Sequence, residues 1–364
     1  MSLLTIIILI FSVVGAIDLI LGNRFGIGKE FEKAFMLLGT MALSMIGMIV
    51  ISPAIASFMS PISEFLSSVL HIDPSIIPAS LFANDMGGAP LSVEMAKNTG
   101  IGLYNALVVS SMMGCTISFT IPFTLGIVDK KQHSELFLGL LCGLVTIPIG
   151  CFVAGIMCKI AIGELIKNLI PLVVVSGIIA VGLIKAPEVC IKIFKIFGIF
   201  IKIIITIGLS IGVINFLCGR TVINGVASIE EGAAVCLNAA IVLSGAFPFM
   251  YIVSKLLDKP LKIVSQKTGI NETSVISLIS TLVTSATSVG LMDKMDKKGV
   301  VINSAFCVSG AFVLGSHLAF TMAFDSNYIV AVIAGKLVSG ISSIIVASFV
   351  FNITNSKIKT LQSN

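Results

Sequence analysis

Apolar runs of about twenty residues, separated by short polar punctuation, recur along the whole chain. Nine read as continuous spans, over residues 3–21, 35–59, 101–128, 135–158, 165–184, 196–217, 232–254, 300–323 and 328–351. An α-helix rises 1.5 Å per residue, so a run of roughly 20 residues covers the ~30 Å of a bilayer's hydrocarbon. The alternation over about ten residues that a closed β-barrel requires is absent. Two further segments, 76–93 and 274–292, have enough length but break in the middle. The first is interrupted by Asn84-Asp85-Met86-Gly87-Gly88-Ala89-Pro90, the second by Thr281 and by Thr284-Ser285-Ala286-Thr287-Ser288. The unbroken piece 76–83 would be only about 12 Å long as a helix, and the glycines and proline after it interrupt any continuation. Both segments read as re-entrant hairpins or broken helices.

Composition changes the solvent. With 56% hydrophobic residues, 11% charged residues and a mean hydropathy of +1.11, the chain has more apolar surface than one globular core can hide; soluble domains carry about 25% charged residues. The expected class is an all-α polytopic membrane protein. The net charge of +5 is spread in short basic clusters between apolar runs, which is not the footprint of a nucleic-acid binder. Of eight cysteines, Cys115, Cys142, Cys151, Cys158, Cys236 and Cys307 lie inside apolar runs without Cys-x-x-Cys spacing. They read as small buried hydrophobes, not as a disulfide framework or a zinc site.

Charge also sets topology. If both interrupted segments dip without crossing, 17 lysines and arginines fall on one side and 4 on the other, with Lys202 and Lys336 inside spans; if both cross, the split is 12 to 9. The positive-inside rule favours the first arrangement: nine spans and two re-entrant hairpins, N-terminus outside, C-terminus cytoplasmic. An eleven-span version is the alternative. The nine-span order exposes a repeat of span, hairpin, span, span. Residues 1–34 form a first transmembrane helix and cytoplasmic loop, 35–158 repeat one with its hairpin at 76–93, and 159–231 two linking helices. Residues 232–351 form repeat two with its hairpin at 274–292, and 352–364 a cytoplasmic tail. An offset of about 198 residues carries Asn105 onto Asn303 and Ser111 onto Ser309. The odd number of spans between the starts of the two units makes the repeats inverted. Paired interrupted segments in inverted repeats point to a transporter site at the midplane.

Each polar group inside hydrocarbon needs a reason, because a centred Asp or Lys costs about 2.5–3.5 kcal/mol on insertion scales. Asp85 lies in a glycine-rich break, where a carboxylate and unwound carbonyls would hold an ammonium group or a sodium ion; a helix cap is the structural alternative. Asn84, Gly87 and Gly88 share that break. Asn105 and Asn303 are candidates for a substrate hydroxyl or for interhelical hydrogen bonds. Thr284 and Ser285 in the second hairpin are candidates to complete the site, and His317 is a candidate acceptor or proton relay. Asp18 reads as a partner for the basic loop after it. No metal site and no bound cofactor are expected, although a coupling Na+ or H+ fits a transporter. Gly208-Leu209-Ser210-Ile211-Gly212 matches a hydrolase nucleophile pattern, but it lies in an apolar helix and not at a strand-to-helix elbow. An intramembrane enzyme and a passive channel therefore rank below a transporter.

Asp85-Met86-Gly87-Gly88, Ser111-Met112-Met113-Gly114, Thr146-Ile147-Pro148-Ile149-Gly150-Cys151, Val301-Ile302-Asn303 and His317-Leu318 occur in that order. Together they make the chain resemble the ethanolamine-utilization permease family over nearly its whole length. The resemblance implies a multi-pass protein of the bacterial cytoplasmic membrane that takes up ethanolamine. Its expected partners are this small substrate and membrane lipids, with a homo-oligomer open. Such a substrate, a small ammonium with one hydroxyl, asks for a carboxylate or aromatic faces and an amide or hydroxyl partner. Without tryptophan the aromatic faces fall to Phe or Tyr, Tyr104 among them. Alternating access between the hairpin tips is the expected mechanism; ion-coupled transport of another small amine or polar solute is the alternative.

Overall fold

The computed structural model describes the backbone of residues 3–362, and the side chains within it except 254, 257–268 and 355–362. Every regular element among the described residues is helical. Eight helical stretches are long and apolar enough to cross a membrane: Leu3–Ile20, Ile27–Phe58, Thr99–Ile127, Lys130–Met157, Ile162–Lys185, Pro187–Leu217, Ile229–Val253 and Ser326–Thr354. They fall on eight of the nine expected spans.

The remaining span, 300–323, is two helices instead, Lys297–Gly310 and Ser316–Phe324. Between them Phe312 takes a φ of +62°, and the amides of Phe312 and Leu314 donate to the carbonyls of Thr281 (3.1 Å) and Leu282 (2.8 Å). Those carbonyls belong to the last turn of helix Glu272–Val283, where a helix leaves its own carbonyls without internal partners. The break is therefore a tertiary exchange of hydrogen bonds, invisible in a stretch that reads as uniformly apolar.

Lipid inverts the usual pattern of burial. The first helix, Leu3–Ile20, exposes Leu9, Ile10, Val13 and Ile17, whereas every residue from Asn105 to Gly114 is buried. The core lies around the stretch Thr99–Ile127. On its flank, Gly47 and Gly208 let helices Leu38–Phe58 and Pro187–Leu217 touch backbone to backbone, since a Cβ on either would collide with a carbonyl of the other helix. The Gly-x-Ser-x-Gly match is part of this packing seam. Asp18 accepts from the amides of Phe25 (3.0 Å), Ile27 (2.8 Å) and Gly28 (2.9 Å). It thereby closes the turn into helix Ile27–Met36.

Both interrupted segments return to where they begin. At the first, the Asp73 carboxylate accepts from the amides of Lys97 (3.1 Å) and Asn98 (2.9 Å). Asn98 in turn caps the next helix by accepting from Ile101 N. At the second, Asp296 accepts from Asn271 N at 2.8 Å and caps the following helix through Gly299 N, while the Asn271 amide donates to Lys294 O at 2.8 Å. Asp73 and Asn271, Asn98 and Asp296, and Asn105 and Asn303 are pairs at the same offset of about 198 residues. The two bases sit at opposite ends of Thr99–Ile127. The first adjoins its start at Asn98. The second lies past its end, where Gln132 Nε2 donates to Met292 O at 2.8 Å and Lys297 pairs with Glu135 at 3.5 Å.

Candidate functional site

A cavity of about 360 Å³ lies where three backbone breaks meet, lined by Ala83, Asp85 and Met86 from the first, Val283 and Thr284 from the second, and Phe312, Ser316 and His317 from the third. Cys115 and Phe119 from the central stretch, with Met41, Ser44 and Phe247 among others, complete its wall.

The first break has a local chemical cause. Helix Ile76–Leu81 ends at Phe82, which is extended, and Ala83 is extended too, before a single tight turn over Asn84–Met86. Gly87 then takes a φ of +98°, a conformation costly for any residue with a Cβ; a Cβ there would also collide with the Met48 side chain. Gly88 N donates to Ala83 O at 2.8 Å, and its missing Cβ leaves room for the Phe82 carbonyl. The two glycines shape the turn that aims Asp85 into the cavity. At the second break Thr284 is extended and its hydroxyl accepts from Ala286 N at 3.3 Å. At the third, Phe312 in its left-handed conformation sets its ring 5.5 Å from Phe119 and 5.1 Å from His317. Strained positions of this kind cluster at functional sites.

A chain of charged and titratable groups runs from the cavity into the core. His317 Nε2 stands 3.8 Å from Asp85 Oδ1. On the other side of the ring, Lys336 Nζ approaches Nδ1 at 3.1 Å and donates to Ser111 O at 2.6 Å. Lys336 is 1% exposed. The Ser111 carbonyl lies where Cys115 N–H bonds Ser110 O and Met112 O instead of it, in a helical stretch widened to the i→i+5 pattern that recurs at functional sites.

Of the residues expected at the site, Asp85, Thr284 and His317 reach the cavity wall. Asn84 is fully buried behind Asp85, and neither polar atom of its side chain has a partner; the Ser285 hydroxyl is likewise buried and unpaired. Gly87 and Gly88 serve the turn. The structure does not bring Asn105 and Asn303 to the cavity: they brace the starts of helices Ile76–Leu81 and Glu272–Val283. Asn105 donates to Ser75 Oγ (2.8 Å) and Asn168 Oδ1 (2.9 Å), and Asn303 to Ser274 O (3.0 Å) and Gly299 O (3.0 Å). Tyr104 is buried, donating to Cys151 O at 2.8 Å. The aromatic faces are instead Phe119, Phe312 and Phe247, and Lys336, which as a deep intramembrane lysine is expected to pair with a carboxylate, contacts His317 and Ser111 O instead. The available signal was that His317 and Lys336 are both ionisable groups deep in spans, which in hydrocarbon seek one another.

An apolar hollow with one carboxylate, aromatic faces and the hydroxyls of Thr284 and Ser316 has the chemistry to hold a small organic cation that carries a hydroxyl. Among the described residues no group of three or more His, Cys, Asp or Glu side chains converges for a metal ion.

Residues 1–350 match the family described as Ethanolamine utilisation protein, EutH. A probable ethanolamine permease EutH of Listeria monocytogenes is 41% identical over 94% of this chain and 92% of its own. The uncharacterized protein YxeR of Bacillus subtilis is 37% identical over 92% and 90%. A probable ethanolamine permease EutH of Salmonella typhimurium is 35% identical over 88% and 85%. No solved structure matches.

Proposed function

We propose, since this chain belongs to the EutH family of ethanolamine utilisation proteins, that it carries ethanolamine across the bacterial cytoplasmic membrane as the protonated amine. The observation that carries the reading is Asp85, the one carboxylate on the wall of a mostly apolar, phenylalanine-faced cavity between breaks whose hairpins start from opposite ends of the core. Relatives named as probable ethanolamine permeases support the substrate.

In this mechanism the ammonium binds Asp85 and lies against Phe119 and Phe312, and the substrate hydroxyl meets Thr284 or Ser316. Movement of one repeat against the other then opens the cavity to the cytoplasm. The tied hairpin bases support a re-entrant reading of both segments, with Asp73 facing outside and Asn271 facing the cytoplasm. Cysteine labelling tests this: an external, impermeant thiol reagent should reach Lys97→Cys in intact cells and reach Lys297→Cys only after permeabilisation. Labelling of both in intact cells would refute the topology.

Function itself is tested by radiolabelled ethanolamine uptake into proteoliposomes at acid pH, where passive entry of the neutral amine is small. Wild type should exceed protein-free liposomes, and Asp85→Asn should not. Equal uptake by the folded variant would remove Asp85 from the mechanism; preferential uptake of another primary amine would reassign the substrate.

A further inference from the structure

Lys336 is a buried lysine without a direct carboxylate partner among the described residues. Its nitrogen reaches only the Ser111 carbonyl and the His317 ring, and the ring's far side faces Asp85. The other titratable groups near it are the thiols of Cys115 and Cys151, and thiols are ordinarily neutral at pH 7. Asp85 is thus the one acid set against Lys336, and the two act through an imidazole. An ammonium has only N–H groups to offer, so His317 Nδ1 accepts and the ring's own proton sits on Nε2, toward Asp85.

The substrate-free site is then neutral, with one carboxylate at the cavity wall and one buried ammonium. A second ammonium, that of the substrate, would leave an uncompensated positive charge where charge is expensive to bury. We infer that the Asp85–His317–Lys336 chain holds one exchangeable proton, which binding of the substrate ammonium expels, so that transport exchanges one organic cation for one proton without net charge. The inference rests on the transport reading above.

The proton moves in balanced steps. Lys336 Nζ gives a proton to His317 Nδ1 and becomes a neutral amine. The ring releases its Nε2 proton to water in the cavity, and the ring ends neutral with its proton on Nδ1. Lys336 keeps both contacts afterwards: its lone pair accepts from Nδ1–H, and one of its two N–H groups still donates to Ser111 O. When the substrate leaves on the other side, a proton entering at Nε2 reverses the sequence. Lys336 is in these terms a positioning residue that acts through His317.

This predicts a signature that simple carriage of a cation lacks. An ethanolamine jump on supported membranes bearing wild-type protein should give uptake without sustained current. In proteoliposomes, accumulation should follow the proton gradient, about 10-fold per pH unit with the lumen acid, and should ignore the membrane potential. An uncompensated cation would instead accumulate roughly 50-fold at 100 mV negative inside.

In Lys336→Met the substrate-free site carries an unpaired negative charge while the loaded site is neutral. Net uptake should fall at least 10-fold, and exchange of external labelled for internal unlabelled ethanolamine should stay within about 3-fold of wild type. Sustained substrate current in wild type, or full net uptake by Lys336→Met, overturns the inference and leaves transport standing. If Lys336→Met does not yield folded protein, the wild-type current decides alone. Absence of any uptake by folded wild type overturns the transport reading, and this inference with it.

Discussion

Asp73 and Asn98 tie the ends of the first interrupted segment, and Asn271 and Asp296 those of the second, yet the tips between them are chemically unlike. At these ends an acid and an amide have exchanged places at the offset of 198 residues: Asp73 with Asn271, and Asn98 with Asp296. The carboxylate accepts across the base in both cases, from the amides of Lys97 and Asn98 at the first and from Asn271 N at the second, so the tie survives with its direction reversed. At the tips no such substitution occurs: one carries Asp85 among glycines, the other Val283 and Thr284. The asymmetry extends further. The positions matching His317 and Lys336 at the same offset in the first repeat are Phe119 and Leu138. The capping residues recur at this spacing, while the charged chemistry is built once, from Asp85 in the first half of the chain and His317 and Lys336 in the second.

The largest test of that comparison is Asp85→Asn against Thr284→Val. Loss of a charged hydrogen bond worth about 2 kcal/mol predicts a roughly 30-fold drop in ethanolamine affinity for Asp85→Asn, read by binding calorimetry or by the concentration dependence of uptake. Next come the braces. Asn105→Ala and Asn303→Ala should each lower stability by about 1.5 kcal/mol, seen in denaturant melts in detergent, because each strands buried partners; affinity in the folded protein should change little. A large affinity loss for either would place that amide in the binding machinery instead. Phe119→Leu removes an aromatic face and should weaken ethanolamine by about 3-fold, with less effect on an uncharged alcohol of similar size. Smallest is Thr284→Val, expected to change affinity by less than about 2-fold, since a single neutral hydroxyl has water as its alternative partner. If it matched Asp85→Asn, the two tips would be functional equals and the asymmetry would be lost.

Eight of nine spans were legible because hydrocarbon demands about twenty apolar residues wherever a helix crosses it. The first two breaks were legible for the opposite reason, since glycine, proline and clustered hydroxyls announce themselves. The third was not. Ala311 to Gly315 reads as ordinary apolar helix, and it takes hydrogen bonds to Thr281 and Leu282 of another helix to satisfy the amides of Phe312 and Leu314. Asn105 and Asn303 share the spacing of about 198 residues, but an amide that braces a helix end and one that binds a substrate are the same residue in a sequence.

The order of residues determined that lipid is this protein's solvent, where its helices lie, and that Asp85 sits in a break, because each depends on local composition and period. What faces Asp85 was decided by tertiary structure alone. His317 and Lys336 reach it from the far half of the chain, and the seam that gathers them is formed by tertiary packing, which no local pattern encodes.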